Sequence, residues 1–414
     1  MRRISSNLQH SDSQFALRRQ ESRMSEESNR ISNQRKLNNL RDDPLAAGHS
    51  VRYQSFLARI ERFERNVKTV QDQIKISEGY VNQSLQVMQR VRELAVTGAN
   101  GTFTPGDLKN IAAEVDELLS ELVSNANATG PDGTRLFAGT KTFTEPFETV
   151  LGDVDGAGSR MVAAVRYNGS VGQKAVEIDE QSMMGLDQSG NRVFWAERQS
   201  LFSEVDASTF VVKEDTAITV DGVEIPLTAG DNVHSIVSKI NDSGAAVKAT
   251  IDPVTNGLNL ETTDARQLWL EDSAPGGPLA SLGMIKGGDR PPYNIAPSVK
   301  VSGGSMFDAV IEFREALMSG DQEAVGSRVL GALDGAIDNL ATRLASLGAK
   351  FERSGASLSR LGEKRLNVAA AESREGDIDF TKAVTDLKMY EYTHQASLSQ
   401  AGKLYSRSLL DYVK

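Results

Sequence analysis

The chain of 414 residues contains no cysteine. Disulfide staples, thiol nucleophiles and cysteine-ligated metals are thereby excluded. Aromatic residues make up only 6% of it, with two tryptophans, Trp195 and Trp269. That scarcity argues against a large hydrophobic core and directs the apolar residues into narrow seams. No run of 18 apolar residues occurs, which removes a membrane-spanning helix of the usual kind. Arg2 and Arg3 are not followed by an apolar stretch, so the N-terminus does not read as a secretory signal peptide. The four histidines, His10, His49, His234 and His394, stand far apart and none precedes a glutamate, so there is no zinc-protease motif. His394 interrupts an apolar stripe and reads as a seam residue. A phosphate-binding GxxxxGK[ST] loop, a GxSxG elbow and an EF-hand loop are all missing. Asp42-Asp43 reads as a turn, because adjacent residues seldom aim at one substrate. No catalytic, cofactor or metal site is expected; an enzyme would need a nucleophile or metal constellation in 150–300, and none is found. The net charge of −10 argues against general nucleic-acid binding. Residues 1–41 are locally basic, but Glu21, Glu26 and Glu27 break up the positive charge, as on a solvated helix face.

Two long seams carry the pattern that is present. The first runs Tyr53, Phe56, Ile60, Phe63, Val67, Val70, Ile74 and on to Ala95. The second runs Leu330, Leu333, Ile337, Leu340, Leu344, Leu347 and on through Ser354 and Arg365 to Val368. Both alternate steps of three and four, which keeps one stripe on one face of a long helix, as in a coiled coil. Gly98, Asn100 and Gly101 end the first. Thr104-Pro105-Gly106-Asp107 then predicts a capped helix carrying Leu108, Ile111, Val115, Leu118 and Leu122, folded back on the first.

The ends carry sparser stripes. Ile4, Leu8, Phe15, Met24 and Ile31 mark the first; Val384, Leu387, Tyr390, His394, Leu398, Ala401, Tyr405, Leu409 and Tyr412, joined by Leu404, mark the last. Ser and Asn compete with the helical backbone in the first segment, which predicts weak order until a partner covers it. Asp42-Asp43-Pro44 predicts a helix stop followed by a start, and Glu375-Gly376-Asp377 a second break. From about 135 to 300 the period becomes β-like. Asn168-Gly169 after Val165 and Tyr167 predicts a hairpin turn, and Asp221-Gly222 a second. Asp231 is the expected cap of a short helix, and Val247 to Leu260 a further strand pair around Asn256-Gly257. Residues 216–270 thus read as a β-β-α-β-β unit, and 273–305 as a returning loop. The fold class is α+β, mainly α: a long antiparallel helical, coiled-coil shaft built from both termini, with an inserted β-rich outer domain. The expected divisions are 1–44 with 376–414, disordered until assembled; 45–150 with 301–375 as shaft; and 151–300 as outer domain.

This layout resembles the flagellin superfamily. Asn38 to Ala47, with Arg41, Asp42, Asp43 and Pro44 at its centre, is similar to the turn that separates terminal coiled coil from shaft. Leu347 to Leu361, with Phe351-Glu352-Arg353, resembles the returning shaft helix, and Ile218 to Leu227 the flagellin insert repeat. Arg135-Leu136-Phe137-Ala138-Gly139-Thr140-Lys141-Thr142-Phe143-Thr144-Glu145-Pro146-Phe147 is similar to the signature of the hook-associated protein 3 family, the hook–filament junction branch, where flagellins differ. Met1 to Ser5 and Ala396 to Tyr412 agree, apart from an extra Arg3. The charged run Arg59-Glu61-Arg62-Glu64-Arg65 matches no family role. The resemblance implies a structural, non-enzymatic protein of the bacterial flagellum. It implies a ring of copies between the other junction protein, hook-associated protein 1, and flagellin, with a cytoplasmic export chaperone as a further partner. Export without a cleaved signal peptide to the extracellular flagellum, or to the periplasm in a spirochaete, is also implied. The same pattern fits a flagellin or minor filament subunit as the alternative. In either case the terminal stripes become ordered when neighbouring subunits bury them.

Overall fold

A computed structural model describes residues 3–36, 43–99, 103–153, 160–186, 188–287 and 289–406, with side chains described from residue 11 to 402. The chain opens with α1 (Arg3–Asn33), α2 (Pro44–Gly98) and α3 (Pro105–Ala126). The middle holds β1 (Phe147–Asp153), β2 (Arg160–Tyr167), β3 (Ala175–Asp179), β4 (Ser182–Gly185), α4 (Gly190–Val193) and β5 (Ser200–Phe202). It continues with β6 (Thr216–Val220), β7 (Val223–Leu227), α5 (Val233–Asp242), β8 (Val247–Ile251), β9 (Leu258–Thr262), β10 (Leu270–Asp272), α6 (Pro278–Ser281) and β11 (Lys300–Ser302). Helices return as α7 (Met306–Ser319), α8 (Gln322–Ala324), α9 (Leu330–Gly376) and α10 (Phe380–Ser406), with a π turn, Val325–Val329, joining α8 to α9. The class is α+β and mainly α. The chain forms two compact units, Met1–Arg65 with Leu358–Lys414, and Asn66–Ser357.

In the larger unit α2 is flanked on two sides. Arg90 reaches Glu114 of α3 at 2.7 Å, and Gln83 reaches Glu121 at 3.1 Å, so α3 runs back along α2. Arg92 pairs with Asp334 of α9 at 2.5 Å, and Gly355 lies beside Gln71, so α9 is antiparallel too. Two flanking helices account for the burial of the α2 seam at Val81, Ser84, Met88, Val91 and Ala95. At Val67, Val70, Ile74 and Ser77, which are buried too, α3 has already ended, and Asn66 beside them donates to Glu177 O of β3 at 2.8 Å. Each buried apolar side chain contributes about 1.5–3 kcal/mol. The seam of α9 splits instead. Leu333, Leu340, Leu347 and Ser354 are buried at intervals of seven, whereas Leu330, Ile337 and Leu344 are half-buried and Phe351 is exposed. One of the two heptad lines is covered completely and the other only in part. Thr104 and Asp107 form the expected capping box at the start of α3, and Ser305 with Asp308 forms another on α7.

The turn at Asn168-Gly169 is not a hairpin. β2 pairs backwards with β1, Phe147 opposite Tyr167. Beyond Tyr167 the chain is drawn under its own ring, since the Tyr167 hydroxyl donates to Ser170 O at 2.9 Å and Asn168 N donates to Pro146 O at 2.8 Å. These bonds use the groups a second ladder would need. Asp221-Gly222 does make the expected tight turn, both residues at positive φ (50° and 82°), between β6 and β7. The cap of α5 moves one residue: Asn232 accepts from Ser235 N at 2.9 Å, while Asp231 accepts from Thr228 N and Lys239.

Residues 216–270 contain the β-β-α-β-β order but do not close on themselves. β6 and β7 lie in a sheet with β10, and β8 and β9 in another with β5 and β11. Strands from outside the motif cover edges that would otherwise be bare. The core here is substantial, contrary to the expectation from aromatic content. Ile218, Val220, Ile225, Leu227, Ile236, Ile240, Leu258 and Leu260 are buried together, so aliphatic side chains supply what aromatics do not.

Candidate assembly surface

The smaller unit is organised by two chain breaks that meet. Arg35 and Asp377 form an antiparallel bridge, Lys36 N donates to Gly376 O at 2.8 Å, and Ile378 N donates to Gln34 O at 3.3 Å. Asp43 caps α2, accepting from Leu45 N at 3.1 Å and Ala46 N at 3.0 Å, with Pro44 at the first helical position. Asp379 caps α10 by accepting from Lys382 N at 3.1 Å. Arg41 and Asp42 lie outside the described residues. Ser50 and Gln54 of α2 both donate to Glu372 of α9, at 3.3 and 3.0 Å. The charged run finds its setting here. The guanidinium of Arg59 stacks over Phe56 from one side, the ammonium of Lys364 approaches the same ring, and Arg365 meets Glu64 at 3.6 Å. These residues tie α2 to the end of α9.

From the paired breaks α1 and α10 lie against each other in opposite directions. The packed face of α10 is Ala383 and Ala401, both buried, with Leu387, Tyr390 and His394 half-buried between them and Val384 half-buried beside them. His394 sits in the seam as the spacing predicts, its Nδ1 buried without a partner. On α1 the packed face carries Leu17, Met24, Glu27 and Ile31. Leu17 lies outside the stripe that the sequence predicts for this helix, although it stands one heptad before Met24. Phe15 is nine residues from Met24, half a revolution around the helix, and is 69% exposed. Leu398, Met389 and Tyr392 are exposed on α10, and so is Phe380 at its start. The side chains of Ile4, Leu8 and Leu404, and the residues Leu409 and Tyr412, lie outside those described.

A second cluster lies in the larger unit, around 135–147. Phe147 packs against Tyr167, Phe194 and Phe307 with ring centroids 5.1, 5.3 and 5.1 Å away, and Phe137 meets Phe194 at 5.0 Å. Asn127 clamps the Phe147 backbone, accepting from its N–H at 2.9 Å and donating to its carbonyl at 2.8 Å. The Tyr167 hydroxyl lies within hydrogen-bond distance of Phe137 O, Ser170 O and the Ser189 hydroxyl, with one proton to share among them. Burial pushes that phenol up to about 12. Gly139, at φ 64°, lies where a Cβ would come within 2.3 Å of Ser170 O, so only glycine fits. Phe143, at the tip, is 85% exposed. The segment is a rigid corner with one aromatic left in solvent. Among the described residues no group of acidic or histidine side chains is arranged to hold a metal ion.

Three stretches match models of known families, in order. Residues 4–142 match the bacterial flagellin N-terminal helical region, 209–264 the flagellin hook IN motif, and 330–413 the bacterial flagellin C-terminal helical region. The chain is 24% identical to polar flagellin C of Vibrio parahaemolyticus, covering 96% of this chain and 94% of the relative. It is 27% identical to flagellin B of Vibrio cholerae, over 89% and 88%. Among solved structures it is similar to flagellar hook-associated protein 3 of Legionella pneumophila (TM-score 0.48, 15% identity, 78% of this chain and 97% of that one). A hook-associated protein of Vibrio parahaemolyticus is similar at TM-score 0.45 and 14% identity, over 81% and 100%.

Proposed function

We propose that this chain, which belongs to the flagellin superfamily, is the flagellar subunit that joins hook to filament. As a structural protein of the flagellum it acts by assembly with other flagellar components rather than by catalysis. The observation that carries the assembly reading is the terminal pair. α1 and α10 cover each other along one face only, and Phe15, Met389, Tyr392 and Leu398 are left in water. Exposed apolar side chains of this kind on a two-helix pair fit coverage by adjacent subunits on more than one side. The terminal stripes from Ile4 to Ile31 and from Val384 to Tyr412 are the proposed interface, and Arg41 to Pro44 the proposed joint between that interface and the shaft.

The corner at 135–147 favours a junction role over the alternative, a flagellin or minor filament subunit. Its sequence resembles the junction branch, and Phe137, Gly139 and Phe147 are fixed there by packing that few substitutions would respect. The proposed partners are further copies of this chain in a ring, hook-associated protein 1 on the hook side and flagellin on the filament side. A cytoplasmic chaperone would hold the chain before export to the outside of the cell, and no signal peptide would be removed.

Immunogold microscopy of isolated flagella, with an antibody to residues 150–300, tests this reading. A single narrow band between hook and filament is expected. Label along the whole filament would make the chain a filament subunit.

A further inference from the structure

Arg343, Ser346 and Lys350 of α9 form one side of a cavity of about 260 Å³. Their spacing of three and four puts them on one helix face. Gln188 and Arg192 line the cavity across from them. It is smaller than the roughly 300–1,000 Å³ of a pocket for a drug-sized ligand, but a carboxylate or phosphate group fits.

The walls are short of negative charge. Asp264 is shared by three guanidinium groups: it pairs closely with Arg266, meets Arg343 at 2.8 Å and lies 3.9 Å from Arg192. Asp221 is engaged by Arg266. Arg192 Nε is buried without an acceptor. Among the described residues no carboxylate pairs with Lys350. Counting Lys350, four cations gather around two carboxylates. Burial, and then Arg192, hold the Lys350 ammonium below the usual lysine range. Burial, and then Arg266, lower Arg192 likewise. Crowded cations in a partly dry cleft are relieved by an anion that bonds to both.

We propose that this cavity is an anion site that takes a carboxylate, supplied in the assembled state by an acidic side chain of a neighbouring subunit. The anion chemistry stands on the cavity alone; the identity of the donor rests on the assembly reading above. A second copy has carboxylates to offer, since Asp and Glu number 56 against 46 Lys and Arg.

The full chain is titrated with inorganic phosphate at constant ionic strength, alongside Lys350→Gln, Lys350→Arg and Ser346→Asp. Wild type binds phosphate. Lys350→Gln binds it about tenfold more weakly, as loss of a charge-assisted bond implies, and Lys350→Arg restores it. Ser346→Asp fills the site from within and abolishes binding while raising the melting temperature. Far-UV circular dichroism confirms that each variant is folded. A wild-type response no larger than that to chloride overturns the site, and so does unchanged binding by Lys350→Gln. Incorporation of Lys350→Gln into flagella then identifies the source. A severalfold loss supports a neighbour's side chain, and normal incorporation overturns that source while leaving the phosphate result intact.

Discussion

Tyr167 carries several tasks at one position. Its ring completes the aromatic corner and its hydroxyl meets Phe137 O, Ser170 O and Ser189. Its phenol is pushed up to about 12 by burial, against an ordinary 10.0. The folded form therefore holds the proton more tightly than the unfolded chain does. The sign follows: the contribution is complete below pH 10 and is lost as the pH rises toward 12. Tyr167→Phe should reduce stability by about 1–3 kcal/mol near neutral pH, because the buried network of Phe137 O, Ser170 O and Ser189 loses the hydroxyl at its centre. It should also flatten the fall in stability at alkaline pH. Chemical denaturation of both proteins at pH 8, 10 and 11 measures the two effects together. A slope unchanged by the substitution would remove Tyr167 as the titrating group.

Among the elements, α9 has two heptad lines that differ in burial. Ser354 is completely buried in the fully covered line, and its hydroxyl donates back to Phe351 O at 2.6 Å. A small residue at that level lets the helices approach closely. Ser354→Leu should cost about 1–3 kcal/mol by overpacking, and Ser354→Ala should be close to neutral, as thermal melting would report. The seams, the breaks and the capping box of α3 were legible because each is written in local spacing: Thr104 to Asp107, or Pro44 after Asp43. The Asp221-Gly222 turn was legible for the same reason. Asn168-Gly169 misled because a turn dipeptide states that the chain bends and not which strand receives it. Phe147, on the far side, had the stronger claim on Tyr167. The split of the α9 seam was hidden because spacing fixes a helix face but not how much of that face a partner covers. The Arg192, Arg266 and Arg343 group was hidden as well, since its members are far apart in sequence; only Arg343, Ser346 and Lys350 left a periodic trace.

For the molecule as a whole, the division into two units sets what a truncation can remove. Core residues such as Leu260, Phe307 and Val81 lie in the unit Asn66–Ser357. Deleting residues 380–414 should leave the melting transition of that unit in place and abolish incorporation into flagella. A truncated chain that still assembles would show that α10 is dispensable.

The bridge between Arg35 and Asp377 makes the two ends of the polypeptide answerable to one another. Both terminal helices are measured from the same rung, one inward to Arg3 and one outward to Ser406. A residue inserted near the start of α1 shifts only its free tip. The same insertion inside α1, close to the rung, turns every side chain on its N-terminal side by about 100° relative to the rung. Length is therefore under tight constraint in the helical turns next to the rung and relaxed at the extremities, so the rung is the origin from which both terminal helices are counted.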